Sequence, residues 1–350
     1  MTDADAAGSR TPHRGAAPYP DDAGAGLPGV VVAGVTALVS GVSVFVNSYG
    51  VHAVRQPALY TTAKNLVAAV GLGVVALVAA SRRGRGVGLL RRFATSAPGV
   101  VGSTAGPEAG RARRLSSGLG LAYVGVVGGG LAFVLFFDGL ADTTAAPAAF
   151  WHDTLVIWVA ALALPVLGER ARWWNGAAIA LLVLGQVVLE GGVGRLAADR
   201  GELLVLGATL LWSVEVVVAK RLLGTVSPAR LGLVRMGVGT LTLVVYVAAT
   251  GSLRALVAMD AVQQGWVVLT GLLLAAYVAT WMSALARGRA VDVTSVLVGG
   301  ALVTWLLQAA AGTAPPAPDA LGVALIAAGT AVVAVAGWRR SRFRPAVEDR

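Results

Sequence analysis

Hydrophobic residues occur along this chain in long, nearly uninterrupted runs. A bilayer core about 30 Å thick takes ~20 apolar residues per helix, and ten runs approach or exceed that length. They cover residues 29–53, 58–80, 119–141, 144–167, 173–190, 201–220, 229–250, 265–285, 290–312 and 319–338. The pattern predicts an all-α, polytopic membrane protein with ten transmembrane helices.

Composition agrees with lipid as the main solvent. Of 350 residues, 56% are hydrophobic and 13% are charged, which is more apolar surface than a water-soluble core of this size could bury. The net charge of +10 comes mainly from Arg in the gaps between the runs, so it indicates topology and not a nucleic-acid partner.

The basic residues are distributed very unequally between the two sides of the predicted helices. Twenty-two Lys and Arg fall on the side that holds both termini, and four fall on the other. Because cytoplasmic loops are rich in Lys and Arg, we expect a plasma-membrane protein with both ends in the cytoplasm.

The two halves of the chain resemble each other. Pro57 and Lys64 open the second run, and Pro228 and Arg235 open the seventh with the same spacing, 171 residues later. A second match has an offset of 144 residues and pairs Gly168, Ala178 and Gly185 with Gly312, Gly322 and Gly329. The offsets differ because the loop after the second run is long. Since each half has five runs, the second half enters the membrane from the opposite side, which predicts two inverted repeats.

These features predict a division of the chain into four parts. Residues 1–28 are a disordered cytoplasmic tail. The first five-helix repeat occupies 29–192 and contains an Arg-rich cytoplasmic loop at 81–118. The second repeat occupies 193–338, and a basic cytoplasmic tail follows at 339–350.

Four motifs resemble the EamA-type families of the drug/metabolite transporter superfamily. They are LGER at 167–170, GAAIALLVLGQVVL at 176–189, GELLVLGATLLWSVEVVVAKRL at 201–222 and ALGVALIAAGTAVV at 320–333. The resemblance covers roughly residues 29 to 338. It implies ten helices, alternating access, and export or uptake of small metabolites, with export favoured.

Ionisable residues inside the runs are candidates for function, because each costs about 2.5–3.5 kcal/mol on membrane-insertion scales. A rise of about 1.5 Å per residue places Lys64 and Asp153 at similar depths near the outer side. It places Glu215 and Arg235 at similar depths near the inner side. We expect two ion pairs that flank a central cavity, acting either as gates or as static packing contacts.

His152 is adjacent to Asp153 and has a second interpretation. An imidazole titrates near neutral pH, so this residue is a candidate proton relay, and transport would then be proton-coupled. The alternative is a hydrogen-bonded histidine with a structural role.

Tryptophan and glycine supply the remaining candidates. Trp158, Trp212, Trp281 and Trp305 lie within runs and could line a pocket for a flat or cationic solute, or pack against lipid and core. Gly299 and Gly300 fall in the middle of the ninth run and are candidates for a flexible hinge.

The sequence favours a secondary transporter for a small metabolite or drug-like solute. It shows no nucleotide-binding motif, metal-ligand cluster or nucleophile constellation, so we expect no cofactor and no enzymatic activity. A membrane-embedded enzyme and a non-transporting scaffold or sensor remain alternatives, and a homodimer is left open.

Overall fold

The computed structural model describes residues 29–82, 107–169, 173–189, 199–312 and 320–342. These residues form helices joined by short turns, with no β-strand among them. Seven long helices are continuous: α1 Gly29–Val54, α2 Pro57–Arg82, α5 Trp173–Leu189, α6 Arg200–Leu222, α7 Pro228–Ala249, α8 Ala261–Arg287 and α10 Ala320–Arg342. A short helix, Leu253–Val257, lies between α7 and α8. The predicted tail at 1–28, residues 343–350 of the predicted tail at 339–350, and most of the Arg-rich loop lie outside the described residues. Residues 339–342 of the second tail belong to α10.

The other three helices are irregular in the middle. α3 runs from Pro107–Ala122 through a π-helical stretch at Tyr123–Leu131 to Ala132–Asp142. α4 consists of Ala145–Asp153 and Leu155–Leu167, and α9 consists of Ala290–Leu297 and Gly300–Ala310. α3 begins at Pro107, so it includes residues that the sequence assigned to the Arg-rich loop.

Helix ends follow local capping chemistry. Asp260 and Gln263 form a reciprocal capping box at the start of α8, and Asp199 accepts from the backbone N–H of Glu202 at the start of α6. Gly168 ends α4 with φ of 65°, and Gly312 follows α9 with φ of 67°. Both adopt the left-handed conformation that glycine tolerates best, which is why the repeat retains glycine at these two matching positions.

Eight helices are long and apolar enough to cross a membrane by length and composition, and two more, Trp173–Val188 and Leu321–Ala336, are apolar but shorter. The protein is therefore a multi-pass membrane protein, and the part of the chain that the structure describes is all-helical. The count of ten spans stays a prediction, because the apolar parts of α5 and α10 are shorter than those of the other eight helices.

The packing of the helices has two-fold character. α1 packs against α8 as α6 packs against α3, and α2 packs against α8 as α7 packs against α3. α1 contacts α9 as α6 contacts α4, while α2·α7 and α5·α10 join each helix to its own counterpart. If each helix in one of these pairs is replaced by its counterpart five helices away in the chain, the result is the matching pair. Two repeats related by a two-fold axis require this.

The α5·α10 crossing shows this symmetry at the level of single residues. A β-carbon on Gly185 would lie 2.9 Å from the carbonyl oxygen of Gly322, and one on Gly329 would lie 3.0 Å from the carbonyl oxygen of Ala178. These four residues are matched by the 144-residue offset. The repeat seen in the sequence therefore corresponds to equivalent backbone contacts in the fold.

Candidate functional site

A cavity lies between the two repeats. α1 to α4 of the first repeat and α6 to α8 of the second contribute to its wall, while α5, α9 and α10 do not. Its polar lining consists of Ser40, Ser43, Asn47, Lys64, His152, Glu215, Arg235 and Tyr277, with indoles from Trp212 and Trp281. Val44 also lines the cavity and matches Glu215 at the 171-residue offset, so this carboxylate is present in one repeat only.

The two intramembrane cations occupy matching places at close helix crossings. A β-carbon on Gly271 of α8 would lie 2.8 Å from the Lys64 carbonyl oxygen, and one on Gly129 of α3 would collide with the Arg235 carbonyl oxygen. Glycine at these positions lets α8 and α3 approach the turns that carry Lys64 and Arg235. The close approach places both cations at the wall of the cavity.

Glu215 and Arg235 form the expected contact. Arg235 Nε donates to Glu215 Oε1 at 2.5 Å, and Nη2 donates to Oε2 at 3.0 Å, so the pair is bidentate. Each residue is 3% exposed. Arg235 Nη2 also donates to the Gly128 carbonyl at 3.3 Å, and the Trp212 indole donates to the same oxygen at 2.9 Å. The π-helical stretch of α3 thus supplies a backbone acceptor to this pair.

The expected pair of Lys64 with Asp153 is wrong. Lys64 Nζ donates to Asn47 Oδ1 at 2.7 Å, and the Tyr60 hydroxyl donates to the same oxygen at 2.7 Å. Nζ also lies 3.8 Å from the ring centre of Phe137, a favourable cation–π position. Counting residues placed Lys64 and Asp153 at similar depths. In the structure, however, Lys64 contacts the amide of Asn47 on α1 and the ring of Phe137 on α3.

Asp153 belongs to a different environment from His152. It accepts from Gln186 Nε2 of α5 at 2.9 Å and lies 3.4 Å from His152 Nδ1. It lines a second, smaller cavity together with Gln186, and the large cavity between the repeats does not include it. His152 does line the large cavity, because adjacent residues on a helix point about 100° apart.

Two of the four candidate tryptophans line the large cavity. Trp212 and Trp281 are 8% and 4% exposed and face it, whereas Trp158 is 38% exposed. Neither Trp158 nor Trp305 is part of the cavity wall, so the structure does not support their assignment to a substrate pocket. Both side chains lie on parts of their helices that do not line this cavity.

The helix of the ninth run is interrupted where Gly299 and Gly300 occur. The Gly299 N–H donates to the Val296 carbonyl three residues earlier, which makes a tighter turn than that of an α-helix. The second segment of α9 begins at Gly300. A β-carbon on Gly300 would lie 2.8 Å from the Ala37 carbonyl of α1, so this glycine also permits close packing. A hinge role for the two residues stays a prediction.

Sequence reasoning missed Asn47 and the aromatic part of the wall. Phe133, Phe136, Phe137 and Tyr277 all line the cavity. Their spacing in FVLFF of α3, and that of Tyr277 with Trp281 in α8, places rings three or four residues apart on one helix face. That periodicity was the available signal, although it also fits ordinary core packing.

A polar cluster joins the ends of α4 and α6 to the α8–α9 turn, at the opposite end of the molecule from the α1–α2 turn. Glu169 Oε1 accepts from the Ala290 N–H at 2.7 Å, and Oε2 accepts from the Val291 N–H at 3.3 Å. Lys220 Nζ donates to the carbonyls of Leu285 and Gly288, both at 2.6 Å. These bonds join α4 and α6 to α8 and α9 at that end of the molecule. We call the cluster the α9 latch; it consists of Glu169, Lys220 and the backbone groups that they bind.

Comparison with solved structures finds the same fold elsewhere. One match, described only as "Crystal structure of protein", has a TM-score of 0.60 at 20% identity and covers 88% of this chain and 98% of its own. At that identity the likeness concerns the fold alone. Comparison with curated proteins gave no match.

A family model matches the chain twice, over residues 27–190 and residues 199–335. The two matches together cover most of the chain and are separated by the segment between α5 and α6, where the two-fold packing divides the helices. The chain belongs to the EamA-like transporter family.

Proposed function

We propose that this protein is a secondary active transporter that moves a small metabolite or drug-like solute across the plasma membrane by alternating access. The observation that carries the proposal is the cavity between the two repeats, which is lined by charged and aromatic side chains from both. Transporters of inverted-repeat architecture bind substrate at such an interface, near the middle of the bilayer. The family supports transport over an enzymatic role.

In this proposal ten helices cross the membrane and both termini are cytoplasmic. The distribution of Arg supports this orientation. The α9 latch then lies on the cytoplasmic side, and the α1–α2 turn lies outside. Rocking of one repeat against the other would expose the cavity to each side in turn, and we favour export as the direction.

Proton coupling is part of the proposal through His152. Its imidazole lies on the cavity wall, and Asp153 beside it is hydrogen-bonded to Gln186 of α5, so the two connect the cavity to a helix that is not part of its wall. A histidine in this position could exchange a proton with solvent in the cavity. Solute flux that is insensitive to an imposed pH gradient would remove this part of the proposal.

The test compares metabolites inside and outside cells that lack, contain or overproduce the protein. A solute whose extracellular share falls on deletion and rises on overproduction is the expected result. Cells overproducing a Glu215→Gln, Arg235→Gln double variant at equal membrane abundance serve as the control and are expected to resemble the deletion strain. Identical profiles in all strains, followed by absence of flux in proteoliposomes, would contradict the proposal.

A further inference from the structure

The charges that line the cavity do not balance. Arg235 and Glu215 neutralise each other in a bidentate pair. Lys64 is 2% exposed, and no described carboxylate lies within 4 Å of its nitrogen. Asp153, the remaining nearby candidate, is directed into the smaller cavity with Gln186. A protonated Lys64 therefore leaves one uncompensated positive charge at the wall.

The neighbours of Lys64 offer it little compensation. Asn47 Oδ1 is its hydrogen-bond acceptor, and this oxygen already accepts from Tyr60 as well. An ammonium carries three protons, and a neutral amide oxygen supplies no negative charge. A buried cation of this kind is stabilised by a counter-ion. Because Lys64 lines the cavity, a counter-ion can reach it from there.

The aromatic wall does not favour a cationic solute. The faces of Phe137 and Phe133 are occupied by the protein's own cations: Lys64 Nζ lies 3.8 Å from the ring centre of Phe137, and Arg235 Cζ lies 5.2 Å from that of Phe133. A second cation would meet repulsion from Lys64 and would find the rings in use. The wall instead offers apolar contact, through Phe136, Trp212 and Trp281.

We propose that the cavity binds an organic anion, with its carboxylate or similar acidic group on Lys64 and a planar apolar body against Phe136, Trp212 and Trp281. The anion supplies the missing negative charge and accepts a charge-assisted hydrogen bond from the ammonium. This inference rests on the proposed function in one respect: the cavity is taken as the solute's binding place. It keeps the flat shape that the sequence suggested and replaces the cationic alternative with an anion.

Binding to detergent-purified full-length protein tests the inference without requiring transport. Phenylacetate, phenylacetamide and phenethylamine share a ring and differ in carrying a negative, zero or positive charge. We expect phenylacetate to bind about tenfold or more tightly than phenylacetamide, since hydrogen bonds to charged groups contribute that much. Phenethylamine is expected to bind most weakly. Thermal stabilisation and equilibrium dialysis both report the order.

Two variants identify Lys64 as the source of this preference. Lys64→Met removes the charge, and Asn47→Asp keeps the lysine but places a carboxylate against it, which also protects the fold. Both are expected to lose the tenfold preference for the anion, while Trp158→Phe, outside the cavity, retains it. Equal binding of the three probes to the wild type, or an anion preference that survives in Asn47→Asp, would overturn the inference.

The outcomes separate this inference from the proposed function. Anion binding without flux in proteoliposomes would support the site and contradict transport. Flux of neutral or cationic solutes with no preference for anions would support transport and overturn the anion site.

Discussion

At the scale of single residues, Glu215 and Arg235 are two buried charges whose removal from water costs free energy and which form a bidentate ion pair. Both are almost fully buried, and their two hydrogen bonds satisfy the fork of the guanidinium. Removing one partner leaves the other charge buried without compensation, which costs far more than removing both. The pair is therefore suited to a test that distinguishes packing from function.

We predict that Glu215→Gln or Arg235→Gln alone lowers the free energy of unfolding by about 3–5 kcal/mol. The double variant is expected to recover most of that stability while remaining inactive, because a neutral pair packs but provides no charges to the cavity. Thermal unfolding in detergent and solute flux measure the two effects. Arg200→Gln is the matched control, since its pair with Asp142 is exposed and contributes about 0–1 kcal/mol. A double variant that transports normally would assign the pair to packing alone.

At the scale of elements, the α9 latch connects a helix end to a helix start. The Glu169 carboxylate accepts two backbone N–H groups from the first turn of α9, where the helix dipole favours negative charge. Arg289 lies 3.8 Å from the same carboxylate. The latch joins the two helices at one end of the molecule, so in the proposed orientation it is a suitable place to bias opening toward the cytoplasm.

We predict that Glu169→Gln increases access to the cavity from the cytoplasmic side. The amide keeps one acceptor but loses the charge and the second N–H contact. Ser40→Cys places a single thiol on the cavity wall, in a chain that has no other cysteine. Its rate of labelling by an impermeant maleimide in inside-out vesicles should rise several-fold in the Glu169→Gln background.

The matched control for this prediction is Glu202→Gln. Glu202 accepts from the Trp151 indole at 2.9 Å and joins α4 to α6 at the opposite end of the bundle. It is therefore expected to leave labelling from the cytoplasmic side unchanged. Equal labelling in the Glu169→Gln and wild-type backgrounds would mean that the latch does not control access.

At the scale of the whole molecule, the two-fold relation between repeats makes a quantitative prediction. Gly185 and Gly329 meet equivalent backbone atoms across the α5·α10 crossing. Gly185→Ala and Gly329→Ala are each expected to destabilise the protein by about 1–3 kcal/mol, the usual cost of overpacking. Thermal unfolding of the two variants under identical conditions measures the effects, which should agree closely.

Gly176→Ala provides the control within α5. No atom lies within 4 Å of the place where its β-carbon would be, so the variant should gain up to about 1 kcal/mol from helix propensity. A large effect at one member of the Gly185 and Gly329 pair with none at the other would show that the crossing is not symmetric.

The sequence by itself determined the features that depend on composition and on order along the chain. Apolar runs predict helices wherever they are long enough, because an unpaired backbone cannot remain in lipid. The repeat was also readable: Gly168 and Gly312 share a left-handed conformation, and the offset of Gly185 to Gly329 reappears as a shared crossing. Similar depth led us to expect the contact of Glu215 with Arg235, and the structure shows it.

Only the tertiary structure decided which side chains face one another. Lys64 and Asp153 lie at similar depth, yet one points to Asn47 and Phe137 and the other to Gln186. Depth follows from counting residues, whereas direction around a helix depends on its rotation and on interruptions such as the one at Thr154 in α4. The cavity and its unbalanced charge arise from these directions, because they are set by packing between helices that are distant in the chain.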